Sequence, residues 1–252
     1  KMCNSKFSEL LQSYYIRYNK TLKELVNFVS YLDFISCIAH VSYENGYVRP
    51  IIDDDLADSN LEAENLRHPI IEKINTQIKY VPNDIILGKD NKKGMLLYGV
   101  NAVGKSSFMK SVGLSIIMAQ TGFYVPAKKF IYNPYKYLFT RISNNDNIFK
   151  GQSTFAVEMS ELRSILKRSN NQSLVLGDEL CSGTETTSGL SIVTAGVVRL
   201  SDNRSSFIFA THLHQLSEMT EIIEKNDVEN YHMETKYDID TKKLIYDRKL
   251  KK

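Results

Sequence analysis

The sequence has no tryptophan, three cysteines and five prolines among its 252 residues. The cysteines, Cys3, Cys37 and Cys181, are far apart, odd in number and never arranged as C-x-x-C. This argues against a disulfide framework and against a zinc site, so we expect an intracellular, reducing compartment. No signal-peptide pattern opens the sequence, and no uninterrupted run approaches the roughly 18 apolar residues of a membrane span. We therefore expect no membrane partner.

An excess of charge is also lacking, because 32 Lys and Arg face 29 Asp and Glu, for a net charge of +3. So small a value does not by itself indicate a nucleic-acid partner. The apolar fraction of 42% is enough for a folded core and excludes a disordered chain. The sequence opens in a helical pattern and ends in a strand-like one, so we expect it to be part of a longer protein.

Residues 1–45 contain no glycine and no proline. Apolar residues recur there at helical spacing, namely Phe7, Leu10, Leu11, Tyr14, Tyr18, Leu22, Leu25, Val29 and Leu32. The spacing predicts one long amphipathic helix or an antiparallel pair of helices. Residues 46–60, which include Gly46, Pro50 and three consecutive aspartates, are interpreted as a linker with a short strand at 47–51.

From residue 61 to residue 252, apolar strands alternate with helical segments. Strand-like runs lie at 95–98, 174–176 and 207–209, and helical patterns lie at 105–120, 158–168 and 189–200. This alternation predicts an α/β domain whose mainly parallel sheet is covered by helices on both faces. The final stretch alternates polar and apolar residues, which predicts an antiparallel hairpin at one edge of the sheet.

A glycine loop (residues 99–106) lies between the first of these strands and the first of these helices. It consists of Gly99, Val100, Asn101, Ala102, Val103, Gly104, Lys105 and Ser106, and it fits the P-loop pattern G-x-x-x-x-G-K-S/T at every fixed position. Its backbone N–H groups would cradle the phosphates of ATP, and Gly104 would let the backbone approach them closely. Lys105 would reach the β- and γ-phosphates, and the Ser106 hydroxyl would bind Mg²⁺.

An acidic pair would complete such a site. Asp178 and Glu179 directly follow a buried strand, at the strand end where open α/β sheets bind their ligands. We predict that Asp178 binds Mg²⁺, directly or through water, and that Glu179 orients and polarises the attacking water. A solvated acidic turn is the alternative, but an apolar strand before the pair in a P-loop protein disfavours it.

Histidines and a tyrosine provide further candidates. His212 ends the third strand and is predicted to lie over the γ-phosphate, where it would report hydrolysis. A structural role for His212, or a metal pair with His214, stays open as an alternative. No N-K-x-D guanine segment follows the strands, so the base is predicted to be adenine, with Tyr80 and His232 as candidates to stack on it.

These motifs, in this order, resemble the C-terminal ATPase region of the MutS family of DNA mismatch-repair proteins. The resemblance is carried by R-H-P-I-I-E at 67–72, Y-V-P-N-D at 80–84, the glycine loop followed by Ser107, G-F-Y-V-P-A at 122–127, G-Q-S-T-F at 151–155 with Glu158-Met159, D-E at 178–179 with G-T at 183–184, A-T-H at 210–212 and N-Y-H-M at 230–233. The resemblance is dense over residues 60–252. It is weaker over residues 1–45, which are similar to the helices that enter the ATPase region from the family's core and lever region. The form D-E-L-C-S-G-T-E at 178–185 is similar to a divergent branch found in large DNA viruses and some mitochondria.

The resemblance implies an ABC-like ATPase that uses ATP and Mg²⁺ in a composite homodimer and couples ATP turnover to the state of a DNA clamp. DNA would be contacted by parts of the parent protein outside this chain. Ser153 would reach the γ-phosphate held by the partner subunit, and Ser107 would take the place of the last threonine of the family's loop. Tyr80 and His232 match the positions that flank adenine.

The sequence departs from the family pattern in two places. Val100, Ala102 and Val103 replace the proline, methionine and glycine of the family's loop, and Val103 introduces a stiff β-branched side chain. We expect an altered loop geometry with phosphate binding retained. Ser182 stands where the family has an arginine, which puts a contact at the subunit interface in question.

Three other functions stay open on the sequence alone. Another ABC-type ATPase, for DNA maintenance or transport, should carry S-G-G-Q before the acidic pair, where this chain has G-Q-S-T-F. A non-catalytic, nucleotide-dependent clamp is disfavoured by the intact Lys105 and the intact acidic pair. A P-loop kinase would need an acceptor-binding lid, which no segment resembles.

Overall fold

The computed structural model describes residues 2–53, 57–74, 79–142, 154–181, 184–238 and 243–252. The chain forms two compact units, residues 1–46 and 47–252. The first unit is a single helix, α1 (Met2–Asn45). The alternative of an antiparallel helix pair is therefore wrong, because no glycine or proline interrupts the helical backbone over this length.

Helix α1 exposes its large apolar side chains along its whole length, from Phe7 at 64% to Tyr43 at 90%. By length and composition, the span Cys3–Asn45 is apolar enough to cross a membrane, with a mean hydropathy of 1.4 in its most apolar window. The segment contains no long uninterrupted apolar run, because Asn27 and Asp33 break it up, so a membrane span was not expected from the sequence. The same composition suits a helix that packs against other protein segments, so it is weak evidence for a membrane span.

The second unit is built around a six-stranded sheet. Its strands are β4 (Gly94–Tyr98), β6 (Tyr137–Arg141), β7 (Ser173–Asp178), β8 (Ser206–Ala210), β9 (Val228–Asp238) and β10 (Lys243–Lys251). They lie in the order β10-β9-β4-β8-β7-β6, and every pairing is parallel except that of β9 with β10. The mixed α/β architecture, the mainly parallel sheet and the antiparallel edge hairpin are confirmed.

Helices cover both faces of this sheet. They are α3 (Lys105–Gln120), α4 (Thr154–Arg168) and α5 (Thr186–Asp202). Because successive strand residues point to opposite faces, the neighbours Leu96 and Leu97 of β4 enter different cores. Leu97 packs in one core with Val112 of α3, and Leu96 packs in the other with Leu162 of α4 and Val197 of α5. This double burial explains why the strands are continuously apolar.

A second, four-stranded sheet was not predicted. It consists of β1 (Ile51–Ile52), β2 (Asn60–Leu66), β3 (Asn83–Leu87) and β5 (Lys129–Asn133), in the order β1-β5-β2-β3. The segment predicted as a linker contributes to it, because β1 pairs with β5 and Val48 bridges to Val125. The remaining described elements are the short helices α2 (Ile71–Ile74) and α6 (Thr220–Ile223) and a 3-10 turn (His214–Glu218).

Candidate active site

The glycine loop joins the C-terminal end of β4 to the start of α3. Gly99, Ala102 and Gly104 have left-handed backbone angles, with φ of 149°, 62° and 112°. Glycine adopts this region freely, whereas an alanine there is strained by about 1–2 kcal/mol. Val103 keeps an ordinary φ, is fully buried and packs in the core beside α3. The unusual valine therefore anchors the loop, and the backbone strain lies at Ala102.

Lys105 bonds to the loop that precedes it. Its Nζ donates to the carbonyl oxygens of Gly99 at 2.6 Å and Val100 at 3.2 Å. Burial lowers the pKa of this ammonium, and the charges of Glu179 and Asp178 oppose that shift. The loop, with Ser107 and Glu179, lines a cavity of about 150 Å³. An ammonium and free backbone N–H groups around such a cavity suit an anion of phosphate size.

Asp178 ends β7 next to Ser106 at the start of α3. Burial raises the pKa of the Asp178 carboxyl, while a hydrogen bond from the Ser106 hydroxyl and the charge of Lys105 act in the opposite direction. Asp178 Oδ1 is buried without a hydrogen-bond partner among the described residues. A buried carboxylate oxygen beside a hydroxyl is a hard-oxygen pair of the kind that Mg²⁺ binds together with waters. The two predicted metal ligands therefore fit the ion.

Glu179 and His212 come together between β7 and β8. The Glu179 Oε1 and the His212 Nε2 lie 2.8 Å apart, and that nitrogen lies 3.3 Å from the Lys105 Nζ. Glu179 has a left-handed φ of 52°, and its N–H donates to the carbonyl oxygen of Ala210 at 2.8 Å. Strained backbone of this kind recurs at functional sites because the surrounding structure must hold it in place. The structure thus brings together the three residues predicted to be catalytic.

His214 does not share the surroundings of His212. Its ring stacks on Tyr98, with the ring centroids 5.6 Å apart and the planes at 19°. Within the described residues, no group of three or more His, Cys, Asp or Glu side chains is arranged to hold a metal ion. The two histidines therefore have separate partners, which gives the metal-pair alternative no support.

Glu158 holds the backbone that follows the acidic pair. It lies on α4, its side chain is buried, and its Oε1 accepts a hydrogen bond from the N–H of Cys181 at 2.9 Å. Cys181 has a left-handed φ of 60°, and burial together with the Glu158 charge raises its pKa to about 11. The sequence showed Glu158 as part of a motif but gave it no role. Its contact with the loop after Glu179 becomes visible only when α4 packs against β7.

Tyr80 lines a second cavity, of about 140 Å³, next to the glycine loop. Ala102, Gly104 and Ser107 line both cavities, so the two cavities are neighbours on either side of the same loop residues. The remaining lining residues of the second cavity are Ile71, Val81, Asn83, Phe108, Met233 and Arg248. An aromatic ring and apolar side chains beside an anion site suit a flat base joined to phosphates.

His232 is not among the described residues that line this cavity. It is exposed on β9, whereas its neighbour Met233 is buried and lines the cavity. Alternation along the strand accounts for the difference, since adjacent side chains point to opposite faces. The structure therefore brings Tyr80, but not His232, to the cavity wall. Ser153, predicted to act across a subunit interface, and Ser182, which stands where the family has an arginine, both lie outside the described residues.

Comparison with known proteins identifies the family of this chain. Residues 95–252 match the family model of MutS domain V. The chain belongs to the MutS family. A DNA mismatch repair protein mutS homologue of Acanthamoeba polyphaga mimivirus is 40% identical, and the match covers 99% of this chain and 25% of the relative. A mitochondrial mutS homologue of Sarcophyton glaucum is 39% identical, over 97% of this chain and 24% of the relative.

A bacterial MutS, from Syntrophomonas wolfei, is 38% identical over 82% of this chain and 24% of its own length. The chain thus spans about a quarter of the length of the curated relatives it matches. The predicted family is confirmed, and the matched relatives include the viral and mitochondrial types that the acidic-pair segment resembles.

Proposed function

We propose that this chain binds ATP with Mg²⁺ in the two neighbouring cavities that Tyr80 and Glu179 line, as a P-loop ATPase, and hydrolyses it. The observation that carries the proposal is the convergence of Lys105, Asp178, Glu179 and His212 at the C-terminal ends of β4, β7 and β8. An ammonium, a metal-side carboxylate and a candidate water-orienting carboxylate are the parts that phosphoryl transfer to water requires.

The phosphates would occupy the cavity of the glycine loop. Lys105 would exchange its bonds to Gly99 O and Val100 O for bonds to the β- and γ-phosphates, which are stronger because both partners are charged. Ser106 and Asp178 would hold Mg²⁺, which neutralises charge on the phosphate oxygens. The γ-phosphorus would then lie within reach of a water beside Glu179.

Glu179 would orient that water. Its Oε1, held 2.8 Å from His212 Nε2, accepts a hydrogen bond from the water as the water oxygen attacks the γ-phosphorus. The bond from the γ-phosphorus to the bridging oxygen breaks, ADP leaves with that oxygen, and the proton that the water gives up ends on an oxygen of the released phosphate. His212, whose Nε2 lies 2.8 Å from the Glu179 Oε1 and 3.3 Å from the Lys105 Nζ, would respond when the γ-phosphate is lost.

In the parent protein, this turnover would change the state of a DNA clamp. The support is membership in the MutS family, whose matched relatives are named DNA mismatch repair proteins. We infer that two chains form a composite site, in which Ser153 of one faces the γ-phosphate held by Lys105 of the other. DNA would be contacted by parts of the protein outside this chain. The protein would act in an intracellular compartment.

The test is titration calorimetry with Mg²⁺-ATP on the wild type, on Lys105→Ala and on Lys110→Ala, an exposed lysine of the same helix. Lys105→Ala should weaken binding by about a hundredfold or more, because a hydrogen bond to a charged group contributes about 1.5–3 kcal/mol and Lys105 would make two. Lys110→Ala should bind as the wild type does. Equal affinity for all three proteins would contradict the assignment of the phosphate site.

A further inference from the structure

One buried aromatic ring lies beside the glycine loop, and the proposed function gives it no role. Tyr98 ends β4, directly before Gly99, and is only 8% exposed. Its ring stacks on that of His214, with the centroids 5.6 Å apart and the planes at 19°. Aromatic rings attract each other at this separation. The stack therefore joins the strand that leads into the glycine loop to the segment that follows β8.

The segment after β8, the histidine turn (residues 211–218), carries both His212 and His214. The His214 N–H donates to the His212 carbonyl oxygen at 3.0 Å, and Leu213 between them has φ of −78° and ψ of 80°. These angles are close to those of an inverse γ-turn, a three-residue turn closed by one hydrogen bond. Because a single residue separates the two histidines, the place where His214 is held determines the place of His212.

Further bonds hold both ends of the histidine turn. At its start, the Thr211 N–H donates to the Leu97 carbonyl oxygen at 3.0 Å, which fixes the turn to β4. Toward its end, the Ser217 Oγ donates to the His214 carbonyl oxygen at 2.8 Å, which keeps the turn closed. Between these two bonds, the stack of His214 on Tyr98 provides a second link to β4.

The ring of Tyr98, rather than its hydroxyl, makes this link. Burial raises the pKa of Tyr98 to about 12, and the nearby Ser217 hydroxyl acts in the opposite direction. The geometry between the two hydroxyls falls short of a hydrogen bond, so the Tyr98 oxygen is buried without a hydrogen-bond partner among the described residues. A buried polar group without a partner does not stabilise the fold. Removing this hydroxyl alone should therefore leave the stack intact.

The position of His212 depends on such links because its side chain is 39% exposed. Its Nε2 lies 2.8 Å from the Glu179 Oε1 and 3.3 Å from the Lys105 Nζ. Hydrogen bonds weaken steeply beyond these separations, so a small displacement of the histidine turn would break both contacts. The geometry of His212 is therefore only as precise as the attachment of the turn that carries it.

We propose that Tyr98 is a positioning residue for His212. By stacking on His214, it holds the histidine turn against the end of β4. The Nε2 of His212 then stays beside the carboxylate of Glu179 and the ammonium of Lys105. The effect of Tyr98 on catalysis rests on the proposed ATP hydrolysis, whereas its effect on the position of His212 does not.

Removing the exposed ring of the stack tests this role without emptying the core. His214→Ala loses that ring, and kcat for Mg²⁺-ATP should fall about tenfold while KM stays within about twofold of the wild type. KM should hold because the proposed phosphate contacts are untouched. A misplacement of about 1 Å can cost about a hundredfold in rate. The loss should be smaller here because the bond from Thr211 to Leu97 remains.

Three variants serve as matched controls. His214→Phe restores a flat ring against Tyr98 and should recover most of the rate. Tyr98→Phe keeps the stack and loses only the hydroxyl, so it should turn over as fast as the wild type. Gln215→Ala changes an exposed side chain of the same turn and should also keep the wild-type rate. Melting curves show whether each variant folds, and His214→Gln replaces a His214→Ala protein that does not.

Two further measurements separate an effect through His212 from a general loss of structure. His212→Ala should lower kcat alone, and adding His214→Ala to it should lower kcat no further, because residues that act through one group are not additive. In the protein without nucleotide, nitrogen NMR reports the His212 Nε2, whose resonance is assigned by its loss in His212→Ala. That resonance should move in His214→Ala and return toward its wild-type position in His214→Phe.

The outcomes distinguish this inference from the proposed function. Equal rates for an active wild type and His214→Ala would overturn the role of Tyr98 and leave the proposed ATPase standing. Losses that multiply in the double variant would also overturn it, because His214 would then act independently of His212. A wild type that does not hydrolyse ATP would overturn the proposed function, and the His212 resonance would then decide. A resonance that His214→Ala leaves unmoved would refute the positioning role.

Discussion

Replacing the carboxylate of Glu179 should separate ATP binding from ATP hydrolysis. Glu179→Gln keeps the size and the strained backbone position of the side chain but lacks a charge to polarise water. Its side chain is 39% exposed, and its described side-chain partner is His212, so the fold does not depend on it. Because the proposed role belongs to the transition state, the affinity for Mg²⁺-ATP should stay within about twofold of the wild type.

The loss of rate can be scaled from comparable groups. A preorganised polar group aimed at the reacting centre contributes about 3–4 kcal/mol, so kcat should fall by about 10²- to 10³-fold. Phosphate release under saturating Mg²⁺-ATP measures kcat, and calorimetry measures the affinity. Glu224→Gln, an exposed carboxylate remote in sequence from the acidic pair, serves as the control and should keep both values. A Glu179→Gln protein that hydrolyses ATP at the wild-type rate would show that another group orients the water.

Three further predictions concern the partner subunit, the loop after the acidic pair and the metal ligand. Lys105→Ala and Ser153→Ala chains should each be nearly inactive alone. Mixing the two variants should restore hydrolysis, because one of the two composite sites in a heterodimer then carries both wild-type residues. Confirmed heterodimers without activity would refute a role for Ser153 across the interface. Glu158→Ala should lower kcat while leaving the KM for ATP nearly unchanged, because the substitution frees the backbone next to Glu179. Glu158→Gln should recover part of the rate, because its amide oxygen can still accept a hydrogen bond from the Cys181 N–H. Equal rates for the wild type and both variants would refute this role of Glu158. Asp178→Asn should raise the melting temperature of the nucleotide-free protein, because the raised pKa of Asp178 means that folding disfavours its ionised carboxylate at pH 7. The difference in melting temperature between this variant and the wild type should shrink as the pH falls below the pKa of Asp178. The same variant should lose the extra stability that Mg²⁺ adds in the presence of ATP, and differential scanning calorimetry would measure both effects.

The proposed phosphate half of the site was predictable because each of its segments lies at the end of a strand that the sequence already indicated. The glycine loop, Asp178 and Glu179 each follow a strand directly, so once the strands are recognised as parallel neighbours, their ends must meet. His212 was predictable for the same reason, since it follows β8, which lies between β4 and β7. The large-scale alternation of buried strands and helices determined this part of the fold.

The base half was harder to predict because its walls come from separate elements. Tyr80 was found through a motif, but Arg248 depends on a bulge in β10 and on contacts made by Asn83. His232 and Met233 are neighbours, so a shift of one residue decides which of them reaches the cavity. The four-stranded sheet was missed for a related reason, because β2 carries four polar residues in seven and gives a weak strand signal.

The walls of the cavity beside Tyr80 also determine when in folding the proposed nucleotide could first bind. The cavity is lined by residues from Ile71 to Arg248, so it does not exist until β3, β4, β9 and β10 have all assembled. Pairing segments so distant in sequence is slow, and the transition state for folding is expected to precede the complete cavity. A ligand that recognises only the finished site stabilises the native state without assisting its formation. ATP should therefore slow unfolding of this domain while leaving its refolding rate almost unchanged.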